Sequence, residues 1–409
     1  MSAVGWTGGQ YSLLRAVGGL ALALHFVRLL PVAPELYSTR GVLGDFDAAL
    51  RLALDPGAAR AVVVGGVGSA LAFAVGFKTR WAALGSWAVL ALLAGLNPLT
   101  VDSGTAFLGW SLLLHAALPR APYGSIDARG RLDPAGGWGF PRPLCAAAWA
   151  LLCATNAYSG LVKAARPEWR SGGALEQLLD GPMVEAGSVA AGVAGWVSDL
   201  PPAITIGATW SIVAFQLLFA PLALVRRARP WIWSIMAVVS VLVALVADSP
   251  DAGLGRLALL GLCFMPAWVP ASTGRGDRVF YDGRCGLCHR AVRWVLAEDR
   301  VESPRFRFAP IDGPTFDGAL PRELRSGLPD SVLVLTSDGE LLDRSRAVMR
   351  LCHGLGGLWR LLALAAEAVP LALRDTLYDA IAHTRHRLFA APEEACPLLP
   401  VELRERFDP

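Results

Sequence analysis

The chain has 409 residues, 54% of them hydrophobic and 17% charged, where an ordinary soluble protein carries about a quarter charged residues. That composition excludes a wholly soluble fold, and the length allows two or three domains. A net charge of +3 with no basic stripe excludes nucleic-acid binding as the main function. Charge is uneven along the chain, with 32 Lys, Arg, Asp and Glu in residues 1–270 and 39 in residues 271–409.

Eight apolar stretches predict a membrane bundle: residues 12–30, 58–77, 81–97, 104–118, 144–162, 203–225, 230–247 and 253–270. The first lacks a preceding basic cluster and reads as a retained helix, not a cleaved signal. Lys78, Arg80, Arg120, Arg129, Arg131, Arg142, Arg226, Arg227 and Arg229 follow the second, fourth and sixth stretches, and this bias puts both termini in the cytoplasm. The expected protein is integral to a plasma membrane of bacterial type. Met183 to Val197 reads as a re-entrant or interfacial helix on the opposite side. His25 and His115, ionisable groups near span ends, are candidate polar contacts within the bundle; Arg15 and Arg256 reach for lipid headgroups.

At the outer end of the fifth stretch, Tyr158-Ser159-Gly160-Leu161-Val162-Lys163 precedes Arg166-Pro167-Glu168-Trp169. The chain holds 35 Arg and 2 Lys. A Lys where Arg is habitual suggests an amine able to lose its proton, so Lys163 is a candidate base, with Tyr158 and Trp169 as candidate ligand-binding aromatics. The competing reading is an interfacial cation in an aromatic belt. Cys145, Cys153 and Cys263 read as small apolar residues within spans.

Small and polar residues at 271–276 form a linker, dividing the chain into a membrane domain, 1–270, and an α/β tail, 277–409. In the tail, strands are expected at Arg278 to Tyr281, Arg305 to Ala309, Ser331 to Thr336 and Glu340 to Asp343. Helices are expected at Cys288 to Glu298, 345–367 and 371–388. Cys285-Gly286-Leu287-Cys288 follows the first strand and opens a helix. A sulfur at a helix N-terminus is stabilised as thiolate, and Arg284, Arg290 and Arg293 add positive charge, so Cys285 is the expected nucleophile and Cys288 the resolving thiol. A structural zinc site completed by His289, by Cys352 with His353, or by Cys396, and an inert buried pair, are the competing readings. Cys352 otherwise reads as core, and Cys396 as a thiol able to exchange with the pair.

Tyr281 to Cys288, Pro329-Asp330-Ser331-Val332, Ser345-Arg346-Ala347-Val348 and Leu373 to Asp379 resemble the DCC family of thiol-disulfide oxidoreductases over about residues 277–400. The family's Asp-Cys-Cys signature falls on Asp282, Cys285 and Cys288. The resemblance implies a thioredoxin-like fold, with Pro329 as the candidate for the cis-proline of such folds, and the expected partners of the cysteine pair are protein or small-molecule thiols. The cluster from Gly160 to Trp169, with the bundle around it, is similar to the HTTM family, which includes the membrane part of vitamin K-dependent gamma-carboxylase. That resemblance implies a quinone as ligand and Lys163 as base. Three functions follow: a membrane-anchored thiol-disulfide oxidoreductase, a quinone-dependent carboxylase-like or epoxidase-like enzyme, and a non-enzymatic scaffold or transporter.

Overall fold

The computed structural model describes residues 5–42, 54–131, 138–179, 189–246, 251–272, 276–283, 285–299, 304–321, 325, 328–329, 331–388 and 401–409. It divides into a helical unit, Leu14–Arg120 with Pro141–Phe264, and an α/β unit made of Met1–Leu13, Ala121–Phe140 and Met265–Pro409. Arg284, Asp330 and Cys396, named above, lie outside the described residues, as do part of the expected linker and the first six residues of the helix expected from Met183 to Val197.

The apolar stretches fold as α1 (Gly8–Leu29), α2 (Pro56–Val75), α3 (Thr79–Leu96), α4 (Ser103–Ala116), α5 (Arg142–Ala165), α6 (Pro202–Leu224), α7 (Arg229–Val246) and α8 (Asp251–Cys263). Among the described residues, α1, α2, α3, α5 and α6 are long and apolar enough to cross a membrane. The eight-span expectation is not carried by helix length. With 14 and 13 residues, α4 and α8 rise only about 20 Å at about 1.5 Å per residue, short of the roughly 30 Å hydrocarbon layer. The interior of this unit is built on small residues. Ala59, Ala70, Ala82 and Ala83 are buried between α2 and α3 beside Phe26, Phe73 and Leu90. A methyl group on Gly19 would lie 2.7 Å from the Ala74 backbone, so only glycine lets α1 and α2 approach this closely.

In the α/β unit, β1 (Asp277–Tyr281) pairs in parallel with β2 (Phe306–Pro310), which explains the intervening helix α9 (Gly286–Glu298): parallel neighbours need a crossover. On its other side β1 pairs antiparallel with β3 (Leu333–Leu335), and β3 with β4 (Leu341–Leu342), giving the order β2-β1-β3-β4. Gly339, at φ 86°, closes the β3–β4 turn. Side chains alternate between faces. Val279, Tyr281, Phe306, Phe308 and Val334 pack with α9 and with α11 (Arg344–Leu355), whereas Phe280, Ala309 and Leu333 pack with Phe316 of α10 (Pro314–Ala319).

One helix expected over 345–367 is two. Gly356 and Gly357 take φ of 70° and 57°, which breaks the ladder between α11 and α12 (Gly357–Glu367). The last long helix, α13 (Leu371–Leu388), enters through Pro370 as expected. Beyond it the chain returns to the sheet, where Phe308 N–H donates to the Arg406 carbonyl and Asp408 N–H to the Phe308 carbonyl, so the β2 edge is paired.

The α/β unit also recruits distant sequence. Buried Glu298, the last residue of α9, accepts hydrogen bonds from Thr7 Oγ1, from Gly9 N–H at 2.8 Å and from Trp359 Nε1–H at 2.6 Å. Tyr11 stacks on Trp138 and Trp6 on Phe140, with ring centroids 5.0 and 5.6 Å apart.

Candidate functional site

The turn after β1 delivers both cysteines to the start of α9. Cys285 N–H donates to the Asp282 carbonyl at 3.3 Å, and His289 N–H to the Cys285 carbonyl at 3.1 Å. Cys285 is therefore the N-cap, and its Sγ accepts the Cys288 N–H at 3.4 Å, one of the amide donors a helix start leaves unpaired. No disulfide joins the two sulfurs. They differ in access, for Cys285 is only 1% exposed whereas Cys288 is half-buried. The half-buried Asp282 holds the turn through its carbonyl.

Imidazole geometry is fixed on the same side. His289 Nε2 lies 2.8 Å from the Gly283 carbonyl, which only accepts, so this nitrogen carries hydrogen. The ring meets Tyr281 edge-on at 5.8 Å. Arg293, expected to add charge beside the thiols, donates to the Arg131 carbonyl at 3.0 Å.

Cys288 opens onto an apolar cavity of about 310 Å³, with Tyr281, Val292, Phe308, Val332 and Tyr378 in its wall. Three polar contacts hold α13 over it. Val332 N–H donates to Tyr378 Oη at 3.0 Å, Ser345 Oγ donates to Asp375 Oδ1 at 2.5 Å, and Arg344 pairs with Asp379 at 3.2 Å. Three separate sequence segments thus meet around one cavity, which spacing alone gave no means to foresee. The peptide bond before Pro329 is not cis: among the described residues none is. Cys352 is core, and burial pushes its thiol up to about 12. Among the described residues, no three His, Cys, Asp or Glu side chains are grouped to hold a metal ion.

In the helical unit, Lys163 Nζ donates to Ser159 Oγ at 3.1 Å and to Gln216 Oε1 at 2.9 Å, and stands 4.9 Å from the Trp169 ring centre. Lys163 and Trp169 are together, whereas Tyr158 is 72% exposed. Gln216 escaped the sequence reading. Its signal was the one amide side chain within α6, a helix with no charged residue.

Residues 279–391 match the family described as DCC1-like thiol-disulfide oxidoreductase. The uncharacterized protein YuxK of Bacillus subtilis is 33% identical over 135 residues, 32% of this chain and 93% of that protein. A chloroplastic DCC family protein of Arabidopsis thaliana is 29% identical over 123 residues, 29% of this chain and 68% of that one. No solved structure matches. The matched residues hold both cysteines, the cavity wall and the three contacts of α13, and through them the chain belongs to the DCC1-like thiol-disulfide oxidoreductase family.

Proposed function

We propose that the protein is a membrane-anchored thiol-disulfide oxidoreductase whose exchanging thiols are Cys285 and Cys288, carried on a thioredoxin-like sheet. The observation that carries this reading is the juxtaposition at the start of α9 of a capped sulfur with a second sulfur facing a cavity. Parallel β1–β2 around α9, followed by the antiparallel β3–β4 pair, supports the thioredoxin-like assignment. Lipid anchoring is supported by the five long apolar helices and by their exposed Val17, Leu20, Val64 and Trp210. The arginine bias argues for a cytoplasmic α/β unit; activity of a periplasm-restricted reporter fused after Pro409 would overturn that orientation.

Access favours an order of attack opposite to the one expected from helix position alone. Cys288 meets the substrate and forms the mixed disulfide, and the capped Cys285 sulfur resolves it. Cys285→Ser should then trap a mixed disulfide on Cys288. Trapping only on Cys285 in the Cys288→Ser protein restores the other order. Failure of both variants to trap, with stoichiometric zinc in the purified protein, sinks the redox reading.

A second reading keeps the quinone-dependent, carboxylase-like or epoxidase-like chemistry at Lys163, favoured by an amine held between Ser159, Gln216 and Trp169. Lys163→Arg retains the cation but not the base. If quinone retention and turnover are unchanged by it, Lys163 is an interfacial anchor.

A further inference from the structure

The cavity beside Cys288 specifies what the thiol pair acts on. Protein interiors are close-packed, with few voids larger than a water molecule. A space of about 310 Å³ reaches the range of small-molecule pockets, roughly 300 to 1,000 Å³. It lies against β1 and β2 and between α9 and α11, with Tyr378, Ile381 and Ala382 of α13 along its remaining wall. Among the described residues, no acidic or basic side chain lines it. A charged group inside would lose its water without gaining a partner.

The same walls argue against an extended polypeptide. A peptide strand is gripped through backbone hydrogen bonds to an exposed edge. Here the Val332 N–H, leading into β3 at the cavity, already donates to Tyr378 Oη. What remains, among the described residues, is an apolar chamber with one sulfur in its wall.

We propose, building on the redox reading above, that this cavity is the substrate pocket and takes a compact, uncharged, low-molecular-weight disulfide with apolar substituents. The Cys288 thiolate attacks one sulfur of the bound disulfide; the new S–S bond joins Cys288 to half the substrate, the substrate S–S bond breaks, and the first thiol leaves. Cys285 sulfur then attacks Cys288 sulfur, forming the Cys285–Cys288 bond and releasing the second thiol. Two electrons pass from the pair to the substrate, and the two protons of the cysteine thiols end on the two released thiols. Run backwards, the same steps oxidise an apolar thiol pair.

The test uses the full-length protein, reduced, in lipid nanodiscs. Diphenyl disulfide serves as the uncharged oxidant and glutathione disulfide as the charged one, and the readout is the ratio of their second-order rate constants. Val348→Phe and Ala382→Phe, which place a ring in the cavity, should each lower that ratio at least tenfold. Redox-inert diphenyl ether should protect Cys288 of the unmodified protein from alkylation by N-ethylmaleimide, a measurement that stands even if neither variant folds. An unchanged ratio, or equal slowing of both oxidants, overturns the proposal, as does absence of protection. Protection by diphenyl ether without exchange with either disulfide would sink the redox reading and leave the pocket; exchange without protection would do the reverse.

Discussion

The two units bury their surfaces in opposite ways. In the α/β unit apolar side chains alternate inward and the ionic groups find partners, as with Asp277, fully buried and held by Arg350 Nε at 2.7 Å, Arg350 Nη2 at 3.1 Å and Ser337 N–H at 3.0 Å. In the helical unit many large apolar residues stand outside and small ones let the helices meet: Leu20, Trp81 and Trp231 are exposed while Gly66 packs on buried Phe26 and Gly160 on Leu217. The difference is compatible with water around the first unit and a membrane around the second. Water rewards the first arrangement, and lipid permits the second, because helices in hydrocarbon gain from close backbone approach and not from hiding leucine.

The sharpest test of the water-facing half is Asp277→Ala, which leaves the Arg350 guanidinium and the Ser337 amide without their acceptor. It should destabilise the α/β unit by about 3 to 5 kcal/mol in thermal or denaturant unfolding. A cost under about 1 kcal/mol would mean the pair is dispensable. The matching test of the lipid-facing half is Leu20→Asp, at an exposed site within α1. If hydrocarbon covers it, membrane insertion should lose about 2.5 to 3.5 kcal/mol, read from the inserted fraction. Insertion equal to that of the parent would place this face in water and erase the contrast between the units.

Two carboxylates sharpen the comparison through pH. Burial raises the Glu298 pKa above its ordinary 4.5, opposed by the hydrogen bonds from Thr7, Trp359 and Gly9. A raised folded-state pKa means that its stabilising contribution is complete below the unfolded value and is lost as pH rises through the folded one. Glu298→Gln, which sets an amide among donors, should cost about 1 to 3 kcal/mol, and the advantage of the parent over the variant should shrink as pH climbs above 4.5. A flat difference across that window would mean that Glu298 does not titrate differently on folding. Asp408 has the opposite sign, because hydrogen bonding to Arg307 and the charges of Arg307 and Arg278 hold its pKa below 3.8. Its contribution is present above that value and fades as pH falls. The arginines are partly exposed, so Asp408→Asn should cost about 1 kcal/mol or less, and less again at high salt. A salt-independent loss would point to the hydrogen-bond geometry of the carboxylate and not its charge as the source.

Much of this was legible in the sequence, for physical reasons that differ by unit. Apolar stretches located seven of the eight apolar helices to within about four residues, the eighth ending at Cys263 and not at 270, and short turn-bounded runs located the four strands to within about two residues, because both are local properties of side-chain order. The break at Gly356-Gly357 was local too, and the glycine pair was its signal. Contacts across long separations left no local trace. Nothing near Glu298 announces Thr7 or Trp359, and nothing near Lys163 announces Gln216. At the candidate site the cysteine spacing marked the sulfurs, but the unequal access of Cys285 and Cys288 depends on residues drawn from the whole α/β unit.

The latch on Glu298 sets the order in which this protein can be made. Thr7 leaves the ribosome 291 residues before the carboxylate that receives it, and Asp299 waits a further 107 residues for Arg406. The α/β unit therefore cannot close segment by segment as translation proceeds. Its earliest piece must stay available while the apolar helices between are produced, and contacts of such separation carry a large loop-closure cost. An excised fragment beginning at residue 277 would carry Glu298 into its core without the Thr7 and Gly9 donors, a defect that belongs to the choice of boundary and not to the family fold.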